Sequence, residues 1–144
     1  MSQLIEKANK FVLDLFTEQL PNTFIYHNYN HTQRVVKSTK ELIENSEINV
    51  KEEEPLILAA WLHDTGYTVK VNGHEEESIK IAEEFLKSEN ASQEIIDKVK
   101  QYIAITQFHI FPETLPEKII KDADSSHLGK DYFEETTEFL RQEL

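Results

Sequence analysis

The chain has 144 residues, which suits one domain with a single hydrophobic core and leaves no room for two independent catalytic domains. It contains no cysteine, so disulfides, thiolate metal sites and cysteine nucleophiles are excluded, and any metal ion must be bound through nitrogen and oxygen. Lys and Arg number 15 against 27 Asp and Glu, and the net charge of -12 disfavours a long nucleic acid or an anionic membrane as a partner.

The hydrophobic pattern predicts an all-α protein, a compact bundle of about six or seven helices. A first helix follows Ser2 and ends before Pro21. We expect residues 22–30 to form a loop that leads to a second helix beginning near His31.

The third predicted helix, Glu52–His63, is almost entirely apolar after its acidic first turn, and we expect it to be buried on most sides. Gly66 is suited to stopping it. The next helices are amphipathic and cover His74–Lys87, Ser92–Gln107 and a short segment opened by Pro116.

The ends of the chain bear on where the protein is located. The N-terminus lacks the pattern of a signal peptide, and no stretch is apolar enough to span a bilayer. Residues 137–144 keep helical spacing up to the last position, which is compatible with a longer parent chain. We therefore expect a cytoplasmic protein, or a cytoplasmic domain of a longer membrane protein.

Histidines and aspartates of metal-ligand type fall at predicted helix ends or on apolar faces. Burying that many ionisable groups is costly unless they are paired or bind a metal ion. A single histidine in such a place is more often a core or capping residue, but the group together favours a metal site. Its members are His31, His63, Asp64, His74, His109 and Asp124.

Four stretches carry a family resemblance. They are YHNYNHTQRV ending at Val35, LAAWLHDTGY ending at Tyr67, GHEEES ending at Ser78, and KDADSSHLG ending at Gly129. In this order they resemble the HD-domain metal-dependent phosphohydrolases, whose signature is a His, a His-Asp doublet and a distant Asp. The resemblance covers about residues 24–130. It implies one HD-type domain over 1–144, with the metal site in a central cleft of the helical bundle.

The resemblance implies a ligand set for a primary metal ion: His31, His63, Asp64 and Asp124. It selects Asp124 over Asp122, and it makes His63 and Asp64 the candidate catalytic residues. His74 and His109 occupy the order in which two-metal members of the family place extra histidines, with Asp64 bridging both ions. One ion and two ions both remain open.

The ligand chemistry favours a divalent transition metal, Mn, Fe, Co, Ni or Zn, since magnesium and calcium prefer all-oxygen ligands. Such an ion activates water and polarises a phosphoryl oxygen, so hydrolysis of a small, nucleotide-like phosphomonoester or phosphodiester is expected. Arg34, Lys70 and Lys130 are candidates for binding its phosphate oxygens, although a cation in such a position is more often simply solvated. A homodimer is compatible with the sequence.

Members of the family act on nucleotides, cyclic nucleotides or dinucleoside polyphosphates, while others oxidise their substrate or have lost activity. Two alternatives to a phosphohydrolase therefore stay open, a regulatory module and a purely structural domain. A regulatory module would bind a metal or nucleotide without turnover and act on a missing C-terminal segment, as in N-terminal HD modules of bacterial membrane proteins that this chain also resembles. A purely structural domain would use the histidines as core residues and would bind no metal.

Overall fold

The computed structural model describes residues 3–19, 22–69, 73–107 and 110–125. Within these ranges the chain forms six α-helices and one short 3-10 turn, and it has no β-strand. The all-α prediction is confirmed. The helices are α1 (Gln3–Gln19), α2 (Asn22–Glu44), α3 (Val50–Leu62), α4 (His74–Ser88), α5 (Gln93–Ile105) and α6 (Leu115–Ser125), and the 3-10 turn is Thr65–Thr68.

Helix α3 is the central element, because it packs against α1, α2, α4, α5 and α6. Its side chains Leu56, Leu58 and Leu62 are fully buried, as are Ala59 and Ala60. Burial of each leucine contributes about 1.5–3 kcal/mol relative to exposure. The prediction that this helix is buried on most sides is confirmed, and its C-terminal end therefore lies deep in the bundle.

The predicted loop over residues 22–30 is wrong, because α2 already begins at Asn22. Asparagine, threonine and aromatic residues have modest helix propensity, which favoured a loop in the sequence. In the structure Tyr29 is held by tertiary contacts: its hydroxyl donates to Asn9 Oδ1 at 2.6 Å, and its ring packs against Trp61. Packing against α1 and α3 thus supports a helix that local propensity does not predict.

Gly66 does not stop α3, so that prediction is also wrong. The helix ends at Leu62, and Gly66 lies in the 3-10 turn without a positive φ. What requires glycine there is space, since a Cβ would lie 1.9 Å from the carbonyl oxygen of His74. The Gly66 N–H also donates to Ser78 Oγ at 2.8 Å. These contacts fasten the turn after α3 to the start of α4.

The other helices begin close to where the sequence placed them. Asn49 caps α3 by accepting from the Lys51 N–H, and Ser92 caps α5 by accepting from the Ile95 N–H. Thr114 and Glu117 form a reciprocal capping box at the start of α6. None of the described helices combines the length and hydrophobicity needed to cross a bilayer.

Candidate metal centre

The site lies where the end of α3 meets α2 and α6. His63 is the C-cap residue of α3, and Asp64 follows it; the two are only 1% and 5% exposed. His31 comes from α2 and Asp124 from the last turn of α6. Their side chains are 24% and 26% exposed, so the cluster is closed on the α3 side and reaches solvent on the other.

The tautomer of His63 is set by a backbone contact. Its Nδ1 lies 2.8 Å from the carbonyl oxygen of Ala60, and because a carbonyl can only accept, Nδ1 carries the donated proton. In the neutral ring Nε2 then carries a lone pair. This atom lies 3.3 Å from Asp64 Oδ2 and 3.2 Å from Asp124 Oδ1. Metal-binding histidines are oriented in this way by a carbonyl on their second nitrogen.

His31 completes the cluster from the opposite side. Its Nε2 lies 3.3 Å from Asp64 Oδ2 and 3.3 Å from Asp124 Oδ1. The ligand-type atoms of His31, His63 and Asp124 all lie within 4.8 Å of one another. Each imidazole therefore faces the same two carboxylates.

The spacing of the ligand-type atoms of His31, His63 and Asp124 fits a single bound metal ion, and Asp64 Oδ2 lies 3.3 Å from both imidazoles. Nitrogen and oxygen ligands bind at about 2.0–2.2 Å, so neighbouring ligand atoms around one ion lie roughly 3.0–3.5 Å apart. The four separations between the imidazoles and the carboxylates are 3.2–3.3 Å. Lone pairs that face one another at this distance repel unless a proton or a metal ion lies between them.

The electrostatics keep both carboxylates ionised. Burial would raise the pKa of Asp64, but His63, His74 and His31 outweigh it and hold that pKa well below its usual range. Burial acts in the same sense on Asp124, and His63 and His31 again lower its pKa. The carboxylates are thus in the form that binds a metal ion at neutral pH.

The pKa of His63 moves in the opposite direction. Burial would lower it, but the charges and hydrogen bonds of Asp64 and Asp124 raise it well above its usual value. A proton and a metal ion would therefore compete for the same Nε2 atom.

Asp64 also contacts a second histidine through its other oxygen. His74, the first residue of α4, places Nε2 3.0 Å from Asp64 Oδ1, and its ring stacks on Tyr67 with centroids 3.9 Å apart. Its Nδ1 lies 3.5 Å from Glu75 Oε1. Burial would lower the pKa of His74, but Asp64 outweighs burial and raises it. Asp64 thus faces His31 and His63 with one oxygen and His74 with the other.

The structure separates the predicted site residues into three groups. His31, His63, Asp64, His74 and Asp124 come together as described, while Asp122 is exposed. Arg34 is half-buried on α2, one turn after His31, and its phosphate-binding role stays a prediction. The remaining predicted residues, Lys70, His109 and Lys130, lie outside the described residues.

Sequence reasoning missed the contacts that two neighbouring residues make. Tyr67 stacks on His74, and Lys121, three positions before Asp124 on α6, donates to three backbone carbonyls. A tyrosine three positions after a His-Asp doublet gives no signal of stacking on a later histidine. The contacts of Lys121 could not be predicted from the sequence, because its acceptors are backbone carbonyl oxygens, which every residue type has.

Comparison with known protein families matches residues 28–129 to the HD domain. Comparisons with curated proteins and with solved structures give no match. The matched segment contains all five clustered side chains and runs from α2 to beyond the end of α6. Because this match covers well over half of the chain, the protein belongs to the HD-domain superfamily of metal-dependent phosphohydrolases.

Proposed function

We propose that this protein is a metal-dependent phosphohydrolase that cleaves a small, nucleotide-like phosphomonoester or phosphodiester. One observation carries the proposal: His31 and His63 direct Nε2 at the same pair of carboxylates, Asp64 and Asp124, at 3.2–3.3 Å. HD domains bind divalent metal ions. Mixed imidazole and carboxylate ligands favour Mn, Fe, Co, Ni or Zn over magnesium or calcium.

Each side chain has a distinct part in the proposed reaction. The ion, when bound by His31, His63, Asp64 and Asp124, would lower the pKa of water and polarise a phosphoryl oxygen. The Ala60 carbonyl keeps His63 in the tautomer that offers Nε2. The buried α3 side excludes water, so substrate would approach from the side where His31 and Asp124 are partly exposed.

His74 provides the second half of the proposed site. Its Nε2 faces Asp64 Oδ1, and stacking on Tyr67 restricts rotation of its ring. This arrangement suits a second metal position that shares Asp64 with the first, and it equally suits a hydrogen bond that orients Asp64 around one ion. Counting the bound ions separates these two roles.

The test begins with metal content. Wild-type protein, purified without a nickel column, is compared by plasma mass spectrometry with His63→Ala, Asp64→Asn and the exposed control Asp97→Asn on α5. We expect one or two equivalents of a transition metal in wild type and control, and loss in the two site variants. The same proteins are then assayed with nucleoside monophosphates, cyclic nucleotides and dinucleoside polyphosphates.

The outcomes distinguish the proposal from its rivals. Turnover in wild type and control, abolished in both site variants, supports the phosphohydrolase. Metal binding without hydrolysis of any of these substrates would favour a regulatory module. Wild-type protein that retains no metal, even after incubation with manganese, cobalt or zinc, would mean that the histidines serve only the packing of the domain.

A further inference from the structure

Three polar side chains of α6 lie on one stripe of the helix. Glu117, Lys121 and Asp124 follow the spacing i, i+4, i+7, which places them on one face. We refer to these three residues as the polar stripe of α6. Asp124 faces the metal centre, whereas the other two members contact α5 and the residues that follow it.

Lys121 binds the last residue of α5 and the segment that follows it. Nζ donates to the carbonyl oxygens of Ile105 (3.0 Å), Gln107 (2.5 Å) and Ile110 (2.9 Å). An ammonium group has three N–H donors, and the carbonyl of Ile105, at the C-terminus of α5, lacks a partner within the helix. Lysine also complements the negative end of the helix dipole. These contacts connect the middle of α6 to the end of α5.

The surroundings of Lys121 agree with this role. Burial lowers the pKa of its ammonium group, while the negative charges of Asp124 and Glu75 act in the opposite direction. The ammonium group therefore interacts electrostatically with both carboxylates.

Glu117 makes a second connection one turn earlier on the same helix. Its side chain is buried, and Oε2 accepts from Gln101 Nε2 of α5 at 2.9 Å. Its Oε1 accepts from the backbone N–H groups of Glu113 and Thr114, both at 3.0 Å. The start of α6 is thus fixed to α5 and to the loop that precedes α6.

We infer that Lys121 and Glu117 are positioning residues of the metal centre, which fix how far α6 slides and rotates against α5 and so hold Asp124 in place. An α-helix rises about 1.5 Å and turns about 100° per residue, so a shift of α6 by one residue would displace the Asp124 carboxylate by more than an ångström. Metal–ligand distances tolerate only about 0.2 Å. Apolar packing of Ile119, Ile120 and Ala123 alone is less directional than hydrogen bonds at two points. This inference rests on the proposed metal-binding role of the cluster.

The test uses cobalt alone as the probe, because its visible absorption reports the ligands around the ion. Metal-free wild type is titrated with Co2+ beside Lys121→Met, which keeps the aliphatic stem, and Lys118→Met, a matched control at an exposed position of the same helix. We expect Lys121→Met to raise the dissociation constant for Co2+ by about 10–100-fold, as loss of a supporting contact commonly does. Its absorption spectrum should also change, whereas Lys118→Met should match wild type.

A second variant covers the case in which Lys121→Met does not fold. Gln101→Met removes the donor to Glu117 while leaving every proposed metal ligand intact, and we expect a smaller rise in the dissociation constant with the same direction of spectral change. Folded variants with wild-type affinity and spectrum would overturn the inference, as would wild type that binds no cobalt. Wild type that binds cobalt but hydrolyses no phosphoester would overturn only the proposed function.

Discussion

Nε2 of His63 lies 3.2 Å from Oδ1 of Asp124, although 61 positions separate the two residues in the chain. His63 is fixed by the end of the buried helix α3, and Asp124 is brought to it by the last turn of α6. Asp122, two positions earlier, is turned roughly 200° around the helix axis and is exposed. Only one of these two aspartates faces the cluster.

This difference predicts opposite results for two similar substitutions. Asp124→Asn should lose the metal ion and all turnover, because a neutral amide is a much weaker ligand, while Asp122→Asn should retain both. Metal content by plasma mass spectrometry and phosphate release would be measured on the same preparations. Full metal content in Asp124→Asn, or its loss in Asp122→Asn, would contradict the assignment of Asp124.

Much of the metal cluster could be predicted because its members differ in type from their surroundings. Histidines and aspartates at the ends or on the apolar faces of predicted helices stand out in a sequence, as His31, His63 and Asp124 did. The structure brings their atoms together, and their role as ligands stays a prediction. The burial of α3 was equally visible, because its apolar residues leave no polar face.

The features that escaped prediction depend on partners distant in the sequence. The start of α2 is supported by Tyr29, whose contacts with Asn9 and Trp61 come from two other helices. Gly66 is needed because of the backbone of His74, which lies eight positions later in the next helix. Neither steric crowding nor contact between helices can be read from local propensity, so tertiary structure decides both cases.

Removal of the metal ion should lower the stability of the protein. A ligand that binds only the folded state, present at 100 times its dissociation constant, stabilises that state by about 2.7 kcal/mol. We expect EDTA to lower the Tm of metal-loaded wild type in a scanning calorimeter and manganese or cobalt in excess to restore it. Asp124→Asn should melt at the same temperature with and without metal. An unchanged wild-type Tm in EDTA would favour a purely structural role for the histidines.

The junction between the 3-10 turn and α4 should tolerate little change. Gly66→Ala would bring a Cβ within 1.9 Å of the His74 carbonyl oxygen, and overpacking of this kind costs about 1–3 kcal/mol. Ser78→Ala would leave the buried Gly66 N–H without its acceptor, at a cost of about 1–3 kcal/mol. Urea denaturation measures both losses.

Ser88→Ala, at an exposed position near the end of α4, is the control for this junction. Its hydroxyl donates to the Phe85 carbonyl, which also accepts from the Glu89 N–H, so the carbonyl keeps a partner after the substitution. We expect a change within about 0.5 kcal/mol, as for most surface substitutions. Equal losses of unfolding free energy in Ser78→Ala and Ser88→Ala would show that the buried hydrogen bond from Gly66 to Ser78 stabilises the fold no more than an exposed one.

A second polar network connects the start of α3 to α5. Glu52 accepts from Lys98 Nζ at 2.8 Å and from the hydroxyl of the buried Tyr102. Burial would raise the pKa of Glu52, but the hydrogen bonds from Lys98 and Tyr102 outweigh it, and the pKa lies below the ordinary value of 4.5. A carboxyl group whose pKa is lower in the folded state stabilises the fold above its unfolded pKa.

The contribution of Tyr102 to this network should therefore depend on pH. Tyr102→Phe removes a hydrogen bond to a charged group, which costs about 1.5–3 kcal/mol. The difference in unfolding free energy between wild type and Tyr102→Phe should be largest above pH 4.5 and should shrink as the pH falls through the lower pKa of folded Glu52, because a neutral carboxyl accepts more weakly. Urea denaturation at pH 7, 5 and 3 measures it. A difference that stays constant down to pH 3 would mean that Tyr102 does not stabilise the ionised form of Glu52.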